Sequence, residues 1–131
     1  MTSRIEKLWA DFYKWPKSWE GLPEDVAYGE GLIEIYKPFV EELLSRYSYN
    51  TVNRHLNNLW LLGGELIRAI NIDPEDREKT PMELLLDNID ETGGPYCRHL
   101  DSEEQMRAYE ATCRKLYNFL MTRKPSERGH R

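Results

Sequence analysis

Apolar side chains recur along this chain at intervals of three and four, the spacing that lines one face of an α-helix. The clearest stripe is Val52, Leu56, Leu59, Trp60, Gly63, Leu66, Ile67 and Ile70. It predicts a helix that begins after Ser48 or Asn50, runs to about Asn71 and is stopped by Asp73-Pro74. Before it, Ile5, Leu8, Trp9 and Phe12 predict a short first helix, opened by a Ser3/Glu6 capping box and closed before Pro16. An aromatic connector, Trp15 to Pro23, follows. Leu32, Tyr36, Phe39, Val40, Leu43 and Leu44 then predict a helix over about Gly31 to Arg46. Pro38 lies inside it and either kinks it or marks the first turn of a separate one, because proline has no N–H to give the preceding turn.

Two more helices are predicted downstream. Thr80 and Glu83 form a capping box with Pro81 at the favoured first position. Met82, Leu85, Leu86 and Ile89 face inward, and Gly93-Gly94-Pro95 closes the helix. Ser102 and Gln105 open the last helix, whose inner face carries Met106, Tyr109, Cys113, Leu116 and Leu120, with Tyr117 beside them, to about Met121. Residues 122–131 are polar and are expected to fray as a flexible tail. Period-two alternation is nearly absent. The expected architecture is a compact all-α bundle of about five helices in one domain, residues 1–121, with residues 1–30 packing on it as a helix and connector.

Composition narrows the picture. The chain has 131 residues, 40% hydrophobic and 31% charged, which suits one globular domain and excludes a wholly disordered one. No apolar run approaches a membrane span, so no membrane partner is expected. The first residues lack the basic-then-apolar order of a secretion signal, so a cytoplasmic location is expected, with Cys97 and Cys113 as reduced thiols. The net charge of −5 is unevenly spread: residues 80–96 hold four acids and no base, whereas residues 97–131 hold eight bases against five acids. An acidic total argues against strong non-specific nucleic-acid binding but leaves room for a local basic face.

Catalytic signatures are missing: no G-x-S-x-G elbow, no phosphate-cradling glycine loop and no H-E-x-x-H. Cys97, His99 and Cys113 are the nearest approach to a metal set, one ligand short of a structural zinc site, and Cys113 falls on an apolar face. Cys97, in its loop, is left open as an exposed, reactive thiol. Glu83, Asp87 and Asp90 share a helix face opposite the apolar stripe, the place of a solvated surface. No catalytic residue, metal, cofactor or small-molecule substrate is therefore expected.

The remaining candidates are binding features. Two adjacent glycines inside a helix cost roughly 1 kcal/mol each relative to alanine. Gly63 lies on the core stripe, where close helix packing explains it. Gly64 lies with Arg54, Asn57, Leu61 and Arg68 on a flatter stripe, which makes Leu61 and Gly64 a candidate partner face. Arg107, Arg114 and Lys115 lie on the outer face of the last helix, with Arg123 and Lys124 beyond, as phosphate contacts would. The same face carries Glu103 and Glu110 four residues ahead of Arg107 and Arg114, the order that favours ion pairs within the helix. Trp15 and Trp19 with Lys14 and Lys17 mix rings and charge as single-strand binders do, although rings of this size also bury themselves across bundles.

From Tyr36 onward the chain resembles the N-terminal core-binding (SAM-like) domain of tyrosine recombinases and phage integrases. The matching residues are Phe39-Val40-Glu41-Glu42-Leu43-Leu44, Ser48-x-x-Thr51 leading into a helix with His55, Leu59 and Leu62, and Thr112-x-x-Lys115-Leu116-Tyr117-Asn118-Phe119-Leu120. The resemblance spans residues 36–120. It implies a helical module lying against one side of duplex DNA, with Thr51, Arg54, His55 and Lys115 as contacts. Arg68, Arg107 and Arg114 complete the candidate set. The family's catalytic Arg, His-x-x-Arg and Tyr have no counterpart after Leu120, so recombination chemistry is not expected, and the net charge departs from the basic character of a DNA clamp. The alternative is a protein-interaction or dimerisation bundle, with another protein or a second copy as partner.

Overall fold

The structure, a computed structural model, describes residue 5 and residues 9–129, residues 123–129 by their backbone alone. Five helices make up the described chain: α1 (Trp15–Ser18), α2 (Asp25–Arg46), α3 (Tyr49–Ile72), α4 (Pro81–Asn88) and α5 (Glu103–Gly129). Short 3-10 turns at Phe12–Lys14 and Pro74–Glu78 precede α1 and α4. Among the described residues there is no strand, only an isolated bridge between Asp90 and Gly93. The all-α class and bundle arrangement are those the periodicity predicts. No helix among the described residues is long and apolar enough to cross a membrane.

α3 is the central element. Its N-cap Ser48 accepts a hydrogen bond from the Thr51 amide at 3.3 Å, and Asp73 follows its last turn. Val52, Leu56, Leu59, Leu62, Leu66 and Ile70 are fully buried, at about 2 kcal/mol each for an apolar side chain removed from water. Leu62 takes the core place predicted for Trp60, which sits half-buried at the edge. α2 packs along α3, burying Leu32, Tyr36, Phe39, Val40 and Leu43, and Tyr36 Oη donates to the Leu59 carbonyl at 3.1 Å.

α2 begins at Asp25, earlier than Gly31, and continues through Pro38 without a break. Pro38 is exposed, so water can serve the carbonyl that its ring leaves without a donor. The early start has a tertiary cause. A Cβ on Gly31 would lie 2.6 Å from the Pro81 ring, so the glycine admits the start of α4 rather than ending a helix. Asp25 fastens the same corner. It is fully buried, its Oδ2 accepts from the amides of Gly21 (2.9 Å) and Leu22 (2.7 Å) and from Asn71 Nδ2 (3.0 Å), and Arg77 pairs with its Oδ1 at 2.8 Å. Burial pushes this carboxyl upward, but the hydrogen bonds from Asn71, Leu22, Gly21 and Arg77 outweigh it and hold the pKa below the ordinary value.

The aromatic connector buries Trp15, Pro16 and Trp19 while the rest of it stays at the surface. Pro16 sits in the first turn of α1 instead of terminating a longer helix. The Ser3/Glu6 capping box lies outside the described residues; Ile5 is helical and accepts a bond from the Trp9 amide at 2.8 Å. Trp15 meets Trp9, Phe12 and Tyr36 edge-on at 5.4, 4.7 and 6.4 Å. Trp19 lies on Gly63, where an added Cβ would stand 2.2 Å from the indole. The close approach that Gly63 permits is therefore a ring from the connector, not a helix backbone. Trp19 Nε1 donates to the Trp60 carbonyl and Trp60 Nε1 to Ser18 Oγ, both at 3.1 Å.

The Thr80/Glu83 capping box of α4 forms in both directions, at 3.1 and 2.9 Å. α4 buries Leu84 and Leu85, with Ile89 just after it, while Met82 and Leu86 are only half-buried. At the start of α5, Gln105 N donates to Ser102 Oγ at 3.1 Å, but its side chain accepts from the Asp101 amide, one residue off a true box. α5 runs to Gly129, past the expected end at Met121, so the stretch read as a frayed tail continues the helical backbone.

Candidate functional site

The first half of α3 lies against the middle of α5, and four of the candidate residues meet there. His55 Nδ1 is 2.7 Å from Thr112 Oγ1, which also accepts from Asn58 Nδ2 at 2.9 Å. Asn58 Nδ2 lies 3.2 Å from the Ala108 carbonyl as well, so a small polar knot joins the two helices. Tyr47 covers the His55 ring at 6.4 Å between centroids. Lys115 Nζ stands 5.2 Å over the Tyr47 ring and donates to its hydroxyl at 3.3 Å. Half-burial lowers the His55 pKa, and the charges of Lys115 and Arg54 lower it further, so the ring is neutral at pH 7. Thr51 lies one turn before His55, half-buried beneath the Ser48 cap. Thr51, Arg54, His55 and Lys115 thus share one place.

The other three cations do not join them. Arg107 is exposed and pairs with Glu103 at 3.6 Å, as the spacing predicts. Arg114 forms no such pair with Glu110, whose side chain lies against Gly93 instead. Arg107 and Arg114 are seven apart on α5, on a face turned about 100° from Lys115. Arg68 is on the stripe of Arg54 but about 21 Å farther along α3 at 1.5 Å per residue.

Beside Arg54 opens a cleft of about 570 Å³, lined by Asn53, Asn57, Asn58 and Gln105, with Trp9 and Leu100 at its ends. No carboxylate among the described residues lines it. Of these carboxamides the sequence pattern marks only Asn57, on the Arg54 stripe; Asn53, four residues before it, lies on the same side of the helix.

Leu61 and Gly64 line a separate groove of about 400 Å³ between the connector, α3 and the loop before α5. The predicted flat face is therefore concave. Trp19, Trp60, Glu65, Arg68, Arg98 and His99 line it with Leu61 and Gly64. A Cβ on Gly64 would meet Trp19 at an ordinary 3.5 Å. Glu65, only 9% exposed, lines the same groove, and its carboxylate helps raise the Cys97 thiol pKa.

The remaining chemistry is structural. Cys97 is fully buried, contrary to the exposed alternative, and burial raises its pKa; burial pushes Cys113 up to about 12. Neither is a ready nucleophile. No group of three or more His, Cys, Asp or Glu among the described residues could hold a metal; His99 is exposed while both thiols are buried. Glu83 serves its capping box, Asp87 pairs with Lys79 at 2.8 Å, and Asp90 binds the Thr92 amide and hydroxyl. Compared with protein-family models, with curated proteins and with solved structures, the chain matches none.

Proposed function

We propose that this chain is a non-catalytic helical module that lies along one side of duplex DNA, in the manner of the core-binding domains it resembles, in a cytoplasmic setting. The observation that carries the reading is that Arg54 and Lys115 both act on His55 while Arg54 also lines a carboxamide-rich cleft free of described carboxylates. Arg54 and Lys115 are exposed and would meet phosphates. Asn53, Asn57 and Gln105 can both donate and accept, which suits sugar and base edges. The excess of acids lies elsewhere, in residues 1–45 and 80–96. With two or three phosphates neutralised, log affinity should fall against log salt with a slope of about −2 to −3. Fluorescence anisotropy of a labelled duplex across a potassium chloride series tests this. The double variant Arg54→Gln/Lys115→Gln should weaken binding and flatten the slope by about 2. Absence of any binding at low salt, with the fold intact by circular dichroism, would sink the reading.

A second reading is a protein-interaction module working through the groove at Leu61 and Gly64. It is favoured by the concave, partly apolar shape of that groove and by its position away from Arg54 and Lys115. Sedimentation velocity over a range of concentrations distinguishes a self-associating bundle from a monomer that needs another partner.

A further inference from the structure

The Leu61–Gly64 groove brings together two arginines that, like Arg54, Arg114 and Lys115, pair with no carboxylate among the described residues. Lys17, Lys37, Arg46, Arg77, Lys79 and Arg107 each reach a carboxylate, at 2.6 to 3.7 Å. Arg68 and Arg98 reach none among the described residues, in a chain where acids outnumber bases by 23 to 18. Glu65 stands three residues before Arg68, a spacing that commonly pairs, yet it forms no ion pair with it and, only 9% exposed, lines the same groove. Two exposed guanidinium groups and an exposed imidazole, His99, therefore share the lining of one concavity, where they outnumber its single carboxylate, Glu65. Leu61, Gly64 and Ile67 supply an apolar floor, and the Trp19 indole, fixed by its bond to Trp60, gives one wall a rigid surface.

We propose that this groove docks an acidic peptide segment of a partner protein, which sets an apolar side chain on the Leu61–Gly64–Ile67 floor and its carboxylates against Arg68, Arg98 and His99. The proposal rests on the interaction reading above and names its partner class. Charge complementarity selects the occupant. Guanidinium forks match carboxylates in geometry, and against the chain's net charge of −5 an acidic peptide is favoured only at locally basic places such as this groove. The open, elongated wall of α3 suits an extended segment better than an enclosed ligand.

The test is anisotropy titration of the full chain with a short fluorescein-labelled peptide of alternating leucine and glutamate, alongside the same peptide with glutamine for glutamate. Binding of the glutamate peptide should weaken by about tenfold or more in Arg68→Gln/Arg98→Gln, and in Gly64→Leu, which fills the floor. All three positions tolerate change without entering the core, and circular dichroism checks that the fold is kept. If the glutamine peptide binds as tightly, the acidic specificity is wrong while the interaction reading stands. If neither peptide binds and sedimentation shows only monomer, both fall. A concentration-dependent dimer abolished by Arg68→Gln/Arg98→Gln gives the groove to a second copy and overturns the peptide proposal. Loss of duplex binding in that same variant, with peptide binding unaffected, assigns the arginines to phosphates and overturns it too.

Discussion

Gly63 and Gly64 are neighbours with opposite expected responses to the same added methyl group. At Gly63 the new Cβ would stand 2.2 Å from a rigid indole that is hydrogen-bonded in place, so ring and helix must part. Gly63→Ala should therefore lose about 2 kcal/mol or more, although alanine is the better helix former by roughly 1 kcal/mol. Gly64→Ala meets only ordinary contact and should gain up to about 1 kcal/mol. Urea denaturation of the pair checks both signs. Asp25 gives a pH signature at the same scale. Its folded pKa is lowered, so its contribution is complete above the unfolded carboxyl's value of about 3.9 and drains away as pH falls through the folded value. Asp25→Asn should cost about 3 kcal/mol at pH 7 by leaving Arg77 without its buried partner. The variant's stability should also decline less steeply than the parent's below pH 4. A parallel decline in the two proteins would reject this role for Asp25.

The helices themselves were legible wherever local chemistry decides them. Thr80 caps where its spacing predicts, Ser48 is the cap where the sequence left Ser48 or Asn50 open, and the α3 stripe sits in the core with only Trp60 displaced to the edge. The misjudged boundaries have tertiary causes. The start of α2 is hidden by Gly29 and Gly31, whose weak helix propensity is overridden because connector and α4 press close against them. Pro16 looked like a terminator because nothing in the sequence says that a one-turn helix will be held by three buried rings. The candidate site divides in the same way. Arg54, His55 and Lys115 could be found from the resemblance to core-binding domains, whereas Arg98 and His99 sit on a loop whose path no periodicity encodes. A consequence at this scale concerns Pro38. Since α2 runs unbroken through an exposed proline, Pro38→Ala should restore a backbone hydrogen bond and raise stability by about 1 to 3 kcal/mol, measured by thermal or urea unfolding. A loss of stability would mean that α2 depends on an interruption at that point.

For the whole molecule, the cysteines offer a measure of how completely the bundle closes. Cys97 and Cys113 come from a loop and a helix, yet both have 0% exposure. Their pKa values are raised, so little thiolate is present at pH 8. Labelling by an aromatic disulfide reagent should therefore be slow in native buffer and should accelerate with added urea in step with opening of the fold. Fast labelling of Cys97 alone would show that the loop before α5 detaches while the helices remain. A different probe follows from the connector. All four tryptophans, Trp9, Trp15, Trp19 and Trp60, lie around the seam where residues 9–19 dock onto α3, three of them in successive ring contact and one hydrogen-bonded to Ser18. The protein thus carries a built-in optical gauge of that seam. Its fluorescence should shift to the red when the connector lifts away, whereas the far-ultraviolet helix signal, dominated by α2, α3 and α5, will change only when the bundle melts.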